Sequence, residues 1–158
     1  MDQVTLRKVV WEEMLCAEMR SSYFAELVRT YQMKDRMLRV CVLLASSGSV
    51  ATALAVWPTG WKLSAPVLAT LGSFWLLLSQ YSSFARDAAD LHAGWSQIAR
   101  DYERQWNNLT EANAEATYHQ IYERAETLSR AGVKFPNKRA RLEFWMDQAA
   151  ALARSRYA

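Results

Sequence analysis

The chain has 158 residues, enough for one domain, and its 19 basic and 16 acidic residues leave a formal net charge of +3. With the two signs interspersed, that balance does not describe a nucleic-acid-binding surface. A mean hydropathy of −0.18 matches a water-soluble protein, yet the average hides a segregation: the middle of the chain is nearly free of charge and both flanks are rich in it.

Residues 1–39 read as an N-terminal cytoplasmic helix. Val10, Met14, Ala17, Ser21, Phe24, Val28 and Tyr31 step alternately by four and three, a heptad-like seam interrupted only by the polar Ser21. Such a helix would enter the next segment almost without a break. Cys16 and Cys41 would then stand roughly 37 Å apart on it, beyond the reach of a disulfide. Two lone thiols fit a reducing compartment.

From Val40 to Trp61, and again from Leu63 to Ala85, there is no Asp, Glu, Lys, Arg or His. A bilayer core about 30 Å thick needs roughly 20 apolar residues in a helix, and both runs are long enough. Buried helices of soluble domains usually keep a charged stripe, so the expectation is two transmembrane helices, residues 40–61 with the turn and residues 63–85. The first run follows a long charged segment, which does not fit a signal peptide. Pro58 and Gly60 mark a tight turn, making the two spans antiparallel neighbours. Trp57 and Trp61 fall where an interfacial aromatic belt would lie. Arg29, Lys34, Arg36 and Arg39 precede the first run and Arg86 and Arg100 follow the second, against a single Lys62 in the turn. The positive-inside rule places both termini in the cytoplasm.

At 100° per residue, Cys41, Ala45, Gly48, Ser49 and Thr52 share one face of the first run; Ala65, Ala69, Gly72, Ser73, Ser79, Gln80 and Ser83 gather on one side of the second. Two readings stay open. Small residues let membrane helices pack closely, so these faces can be a seam within the hairpin or between copies. Their hydroxyls and amide can also line a wet pore without burying charge. Two helices cannot enclose a channel, so a pore requires a homo-oligomer, with closed cyclic symmetry. On that reading the pore-lining candidates are Ser79, Gln80 and Ser83 at the cytoplasmic mouth, with Ser49 and Thr52 deeper. The absence of a charge within either run argues against a proton-coupled transporter.

Residues 86–158 read as cytoplasmic helices. Phe84, Ala88, Leu91, Trp95, Ile98, Tyr102, Trp106 and Leu109 repeat the heptad-like stripe, and Asn107 and Asn108 mark a break. Tyr118, Ile121, Tyr122, Ala125 and Leu128 mark a further helix ending at Gly132. Pro136 and Asn137 introduce a last helix carrying Leu142, Trp145, Met146, Ala149 and Leu152. These stripes are expected to pack on one another as an all-α bundle. The aromatics Trp95, Tyr102, Trp106, Tyr118, Tyr122, Phe144 and Trp145 serve either that core or a stacking platform for a ligand. The basic group Lys134, Lys138, Arg139 and Arg141 suits anionic lipid or a solvated helix start, or else a phosphate-bearing ligand; these four are the ligand-binding candidates.

No catalytic constellation stands out. His92 and His119 lie far apart without metal-ligand spacing, and no nucleophile elbow, phosphate-binding loop, zinc motif or paired-cysteine motif occurs. The expectation is a protein that is not an enzyme and uses neither cofactor nor metal.

The long helix with Tyr23 and Phe24, the two-span hairpin and the continuing helix DLHAGWSQIARDYERQWNNL together resemble the SLATT family, bacterial two-transmembrane effectors of nucleotide-based conflict systems. The resemblance covers nearly the whole chain and rests on architecture and loose spacing. It implies an oligomeric channel or membrane-depolarising effector of antiphage defence in the bacterial inner membrane. The implied partners are further copies of the chain, the lipid bilayer, and a nucleotide or oligonucleotide made by a partner nucleotidyltransferase. With no fused sensor, the chain is most similar to the effector of Hailong-type systems. Two other readings stand beside it: a membrane-anchored helical adaptor without a pore, and a phage-type holin, for which so long an aromatic-rich cytoplasmic part would be excessive.

Overall fold

A computed structural model describes residues 2–46, 75, 80–110 and 113–157. Among them the protein is all-α. Helix α1 spans Gln3–Ser46, α2 Tyr81–Asn107, α3 Ala114–Ala131 and α4 Arg139–Tyr157, with a 3-10 turn at Gly132–Lys134 between the last two. The described residues contain no strand. No helix among them is long and apolar enough to cross a membrane. Most of both charge-free runs, including Ser49, Thr52 and Ser79, lies outside the described residues.

The chain divides into two units, Met1–Leu27 with Asp87–Ala158, and Val28–Arg86. In the first unit the two heptad-like stripes form the core. Val10, Met14 and Ala17 on α1 are almost wholly buried, as are Ala88, Leu91, Trp95, Ile98 and Tyr102 on α2. Trp11 meets Trp106 with ring centroids 5.0 Å apart, while Ser21 Oγ lies 2.7 Å from Ser96 Oγ. The pairing of early with late positions makes α1 and α2 antiparallel. The same test sets α3 antiparallel to α2: Tyr118 meets Tyr102 at 6.3 Å, and Gly94 faces Leu128. A Cβ at Gly94 would stand 2.9 Å from the Leu128 methyl carbons, so the glycine lets the two helices approach closely. On α4, Arg156 pairs with Glu18 at 3.0 Å and Arg141 with Glu26 at 2.7 Å, again antiparallel to α1. The result is an up-down-up-down bundle.

The polar interruption of the α1 seam has a matched partner. Ser21 and Ser96 share a hydrogen bond, and His92 Nδ1 sits 2.9 Å from the Ser21 carbonyl and 3.1 Å from its hydroxyl. A carbonyl only accepts, so Nδ1 carries the proton. The same nitrogen therefore cannot act as a base toward Ser21, and the Ser–His contact is a structural link rather than a catalytic pair.

The helix ends follow sequence cues. α2 stops at Asn107, at the expected break. α3 stops before Gly132, where its end is expected, and that glycine is right-handed, at φ −75° and ψ −13°. The helix tightens into a 3-10 turn and ends at Phe135, extended at φ −92° and ψ 151°, because the residue before Pro136 disfavours helical geometry. Gly132 also sits close to the core: a Cβ there would lie 3.3 Å from Phe24 Cζ, a tight contact.

Glu26 holds α4 in place. Its carboxylate accepts from Trp145 Nε1 at 2.8 Å and pairs with Arg141 at 2.7 Å, and Tyr23 donates its hydroxyl to the Pro136 carbonyl just before α4. Glu26→Ala leaves the Trp145 donor without this acceptor. It should lower stability by about 1–2 kcal/mol, the ion-pair share being small because Arg141 is exposed. Glu26→Gln keeps an acceptor for Trp145 and should cost less. Urea midpoints would check the order; equal stability of all three proteins would show that the node contributes nothing.

The second unit has a different surface. Tyr31 stacks on Tyr81 and Phe84 with centroids 6.3 and 5.8 Å away, and the Lys34 ammonium sits 6.0 Å from the Tyr31 and Tyr81 rings. Met33, Met37, Val40, Leu43 and Leu44 are exposed.

Candidate functional site

Of the pore-lining candidates, Gln80 and Ser83 are among the described residues, and they stand at the start of α2. Gln80 is exposed, with φ 44°, a left-handed conformation that costs a non-glycine residue about 1 kcal/mol or more. Its carbonyl accepts from the Ser83 and Phe84 backbone amides at 3.0 and 3.1 Å and from Ser83 Oγ at 2.9 Å. Ser83 Oγ is thus spent on closing the first helical turn.

The four basic ligand-binding candidates cluster in sequence, but their charges are distributed among different carboxylates. Lys134 pairs with Asp87 at 2.5 Å, Arg139 with Glu143 at 2.8 Å, and Arg141 with Glu26 at 2.7 Å. Lys138 is exposed. An anion entering here would compete with three carboxylates already in place.

The predicted aromatic residues separate in the same way. Trp95 and Tyr102 are core residues, 3% and 0% exposed. Trp106 is half-buried against Trp11, with Arg7 4.8 Å from its ring centre. Tyr118 and Tyr122 lie on α3, their rings 5.9 Å apart, and Tyr122 is exposed. Phe144 meets Trp145 edge to face.

The most site-like concavity of the first unit lies beside Trp95. A cavity of about 410 Å³ opens where α1, α2, the end of α3 and the segment leading into α4 converge. Small-molecule sites run from roughly 300 to 1,000 Å³, so its size suits a small ligand. Arg20, Tyr23 and Phe24 line it from α1, Trp95 from α2, and Phe135 and Leu142 from the chain around the start of α4. Its aromatic walls meet edge to face: Tyr23 with Phe24 at 66° and Phe24 with Phe135 at 80°. The Arg20 guanidinium lies 4.5 Å from the centre of the Trp95 ring, a cation–π placement.

Trp95 Nε1 is buried and finds no protein acceptor among the described residues, while Arg20 makes no ion pair with any described carboxylate. The cavity therefore combines apolar aromatic walls with an uncommitted planar cation. The sequence stripe found Trp95 as a core position but missed Arg20, Met19 and Phe135. The available signal was a basic side chain next to a buried seam, with an aromatic pair three and four residues on.

Cys16, half-buried on α1, has its thiol pushed above the usual range, chiefly by burial and then by Glu13, which makes it a poor nucleophile. Cys41 is exposed, and neither cysteine is bonded. Among the described residues no group of three or more His, Cys, Asp or Glu side chains could hold a metal ion. Compared with family models, curated proteins and solved structures, the chain matches none of them.

Proposed function

We propose that this chain is an oligomeric two-span membrane effector of the SLATT type, sited in the bacterial inner membrane with both termini cytoplasmic. It conducts ions or depolarises the membrane in antiphage defence, under control of a nucleotide or oligonucleotide made by a partner enzyme. The observation that carries the reading is the change of surface along α1. Up to Leu27 its apolar seam is buried. From Met33 onward the face of the helix away from that seam also turns apolar: Met33, Met37 and Val40, at four- and three-residue steps, are exposed, and the helix then enters the first charge-free run. Arg29, Lys34 and Arg36 flank the exposed stripe. Exposed apolar surface rimmed by basic groups suits the cytoplasmic edge of a bilayer.

The test is the membrane potential of bacteria expressing the chain alone, followed with a potential-sensitive dye. Rapid depolarisation is the expected result, and it would mean that the natural ligand holds the pore shut. Leucine at Ser49 or Thr52 should then reduce conductance without dissociating the oligomer. A normal potential both alone and with the partner enzyme co-expressed, with the protein verified in the inner membrane, would overturn the pore and favour a membrane-anchored adaptor.

A further inference from the structure

We infer that the exposed stripe at Met33, Met37 and Val40 of α1 rests on anionic phospholipid rather than on a second copy of the chain, with Lys34 and Arg36 on the headgroup phosphates. The inference rests on the membrane reading and adds to it the class of lipid and the face that meets it.

Charge selects the occupant. The unit Val28–Arg86 carries Arg29, Lys34, Arg36, Arg39, Lys62 and Arg86 against the single carboxylate of Asp35, whereas the rest of the chain has more acidic than basic residues. Asp35 is already paired with Arg39 at 2.9 Å. At 3.6 residues per turn, Met33, Met37 and Val40 fall on one narrow stripe, with Arg36 along one edge and Lys34 along the other; all five side chains are exposed. A second copy laid along this stripe would set basic edge against basic edge, with no carboxylate of the unit left to neutralise them. That is the reverse of the flanking charge pairs that stabilise a helical seam. An anionic surface meets both edges favourably.

Depth supports the same occupant. Along the helix axis Arg36 and Lys34 stand about 6 and 9 Å below Val40, where the first charge-free run begins. The headgroup layer of one leaflet is roughly 5–8 Å thick, and both side chains are long enough to reach into it. Arg29, on the Arg36 edge, is about 16 Å below Val40, beyond that layer. The Lys34 ammonium stands 6.0 Å from the Tyr31 and Tyr81 ring centres. The stacked rings of Tyr31, Tyr81 and Phe84 supply the amphipathic aromatic layer that sits at headgroup level. A free phosphate would use the two cations and gain nothing from the methionines, whereas a phospholipid uses both.

The experiment is native mass spectrometry of the full chain in mild neutral detergent, with equimolar phosphatidylglycerol and phosphatidylcholine of identical acyl chains. Each basic residue near an anionic surface is worth about fivefold in binding, so phosphatidylglycerol is expected to be retained at least tenfold over phosphatidylcholine. Lys34→Gln with Arg36→Gln should bring the ratio close to even. Arg29→Gln, and separately Lys138→Gln with Arg139→Gln, should leave it near the parent's. Excess glycerol 3-phosphate should displace neither lipid. In native membranes, Met37→Cys in a chain carrying Cys16→Ser and Cys41→Ser should give no disulfide-linked dimer on mild oxidation. Far-UV circular dichroism would check that each variant folds. An even ratio in the parent, a parent-like ratio in the Lys34/Arg36 variant, or displacement by glycerol 3-phosphate would overturn the assignment. So would a dimer linked through position 37, which would seat a second copy on the stripe. The membrane reading fails separately. A parent that alkaline carbonate extracts, yet which keeps its preference for phosphatidylglycerol, would lose its spans and keep this surface. A carbonate-resistant parent with an even ratio would do the reverse.

Discussion

Replacing Tyr102 with alanine is expected to lower the stability of the bundle by about 3–5 kcal/mol, while phenylalanine at the same position is expected to raise it by about 1 kcal/mol. The two outcomes have different causes. Tyr102 is wholly buried at the centre of the α2 stripe and packs on Tyr118, so removing the ring leaves a cavity the size of an aromatic side chain. Its hydroxyl, in contrast, finds no protein partner among the described residues. Taking that group out of water costs free energy that folding does not recover, and phenylalanine keeps the ring without the cost. Chemical denaturation midpoints of the three proteins would decide it. A phenylalanine variant clearly less stable than the parent would show that the hydroxyl is satisfied.

The same residue predicts a pH dependence. Burial first, and then the Glu13 carboxylate, hold the Tyr102 pKa above its ordinary value of 10.0. The folded protein therefore keeps a proton that the unfolded chain gives up, and folding is coupled to retaining it. This contribution is fully present below pH 10 and is lost as pH rises from there toward the raised folded value. Tyr118, shifted in the same direction by burial and Glu13, adds a smaller share. The phenylalanine variant should lose less stability between neutral pH and pH 11 than the parent. If the two curves run parallel, Tyr102 titrates alike in the folded and unfolded states.

The heptad-like steps made the bundle legible in the sequence because its core is built from seams of the two longest described helices. Val10, Met14 and Ala17, like Ala88 through Tyr102, are buried at the positions the periodicity assigns to them. The breaks at Asn107 and before Pro136 were equally legible, since each rests on local backbone chemistry. The end of α3 at Gly132 was legible in the same way, but its approach to Phe24, more than a hundred residues away in the chain, was not: a Cβ there would lie 3.3 Å from Phe24 Cζ, and helical phase cannot reveal a contact of that kind.

The candidate site was less legible for a related reason. Clustering along the chain drew attention to Lys134, Lys138, Arg139 and Arg141, but charge is neutralised in three dimensions. The carboxylates that meet three of them come from α1, α2 and α4. Arg20 has no basic neighbour in sequence to draw attention to it. The fold gives it, like Arg7, an aromatic ring instead of a carboxylate, and Arg20 lines the cavity beside Trp95. The pore candidates Ser49, Thr52 and Ser79 lie outside the described residues, so their reading rests on helical phase alone.

Arginine placed at both Val50 and Phe74, near the middle of the two charge-free runs, is expected to abolish stable membrane integration. At the centre of a transmembrane helix an arginine costs about 2.5–3.5 kcal/mol on the insertion scale, roughly a hundredfold or more in partition per substitution, and here both charge-free runs would carry one. Leucine at the same two positions should be tolerated, because it preserves hydrophobicity. Alkaline carbonate extraction of membranes from expressing cells measures the difference. The parent and the leucine variant should stay in the pellet, and the arginine variant should be released or degraded. Both residues lie outside the described residues, so the prediction depends only on the length and composition of the runs. It also separates the two accounts that those runs permit. A hairpin buried in a soluble bundle would also suffer from two arginines, but its parent protein would be extracted by carbonate in the first place. Retention of the parent, together with loss of the arginine variant, is therefore the pattern that a bilayer-spanning hairpin requires, and extraction of the parent would remove the membrane reading and the channel with it.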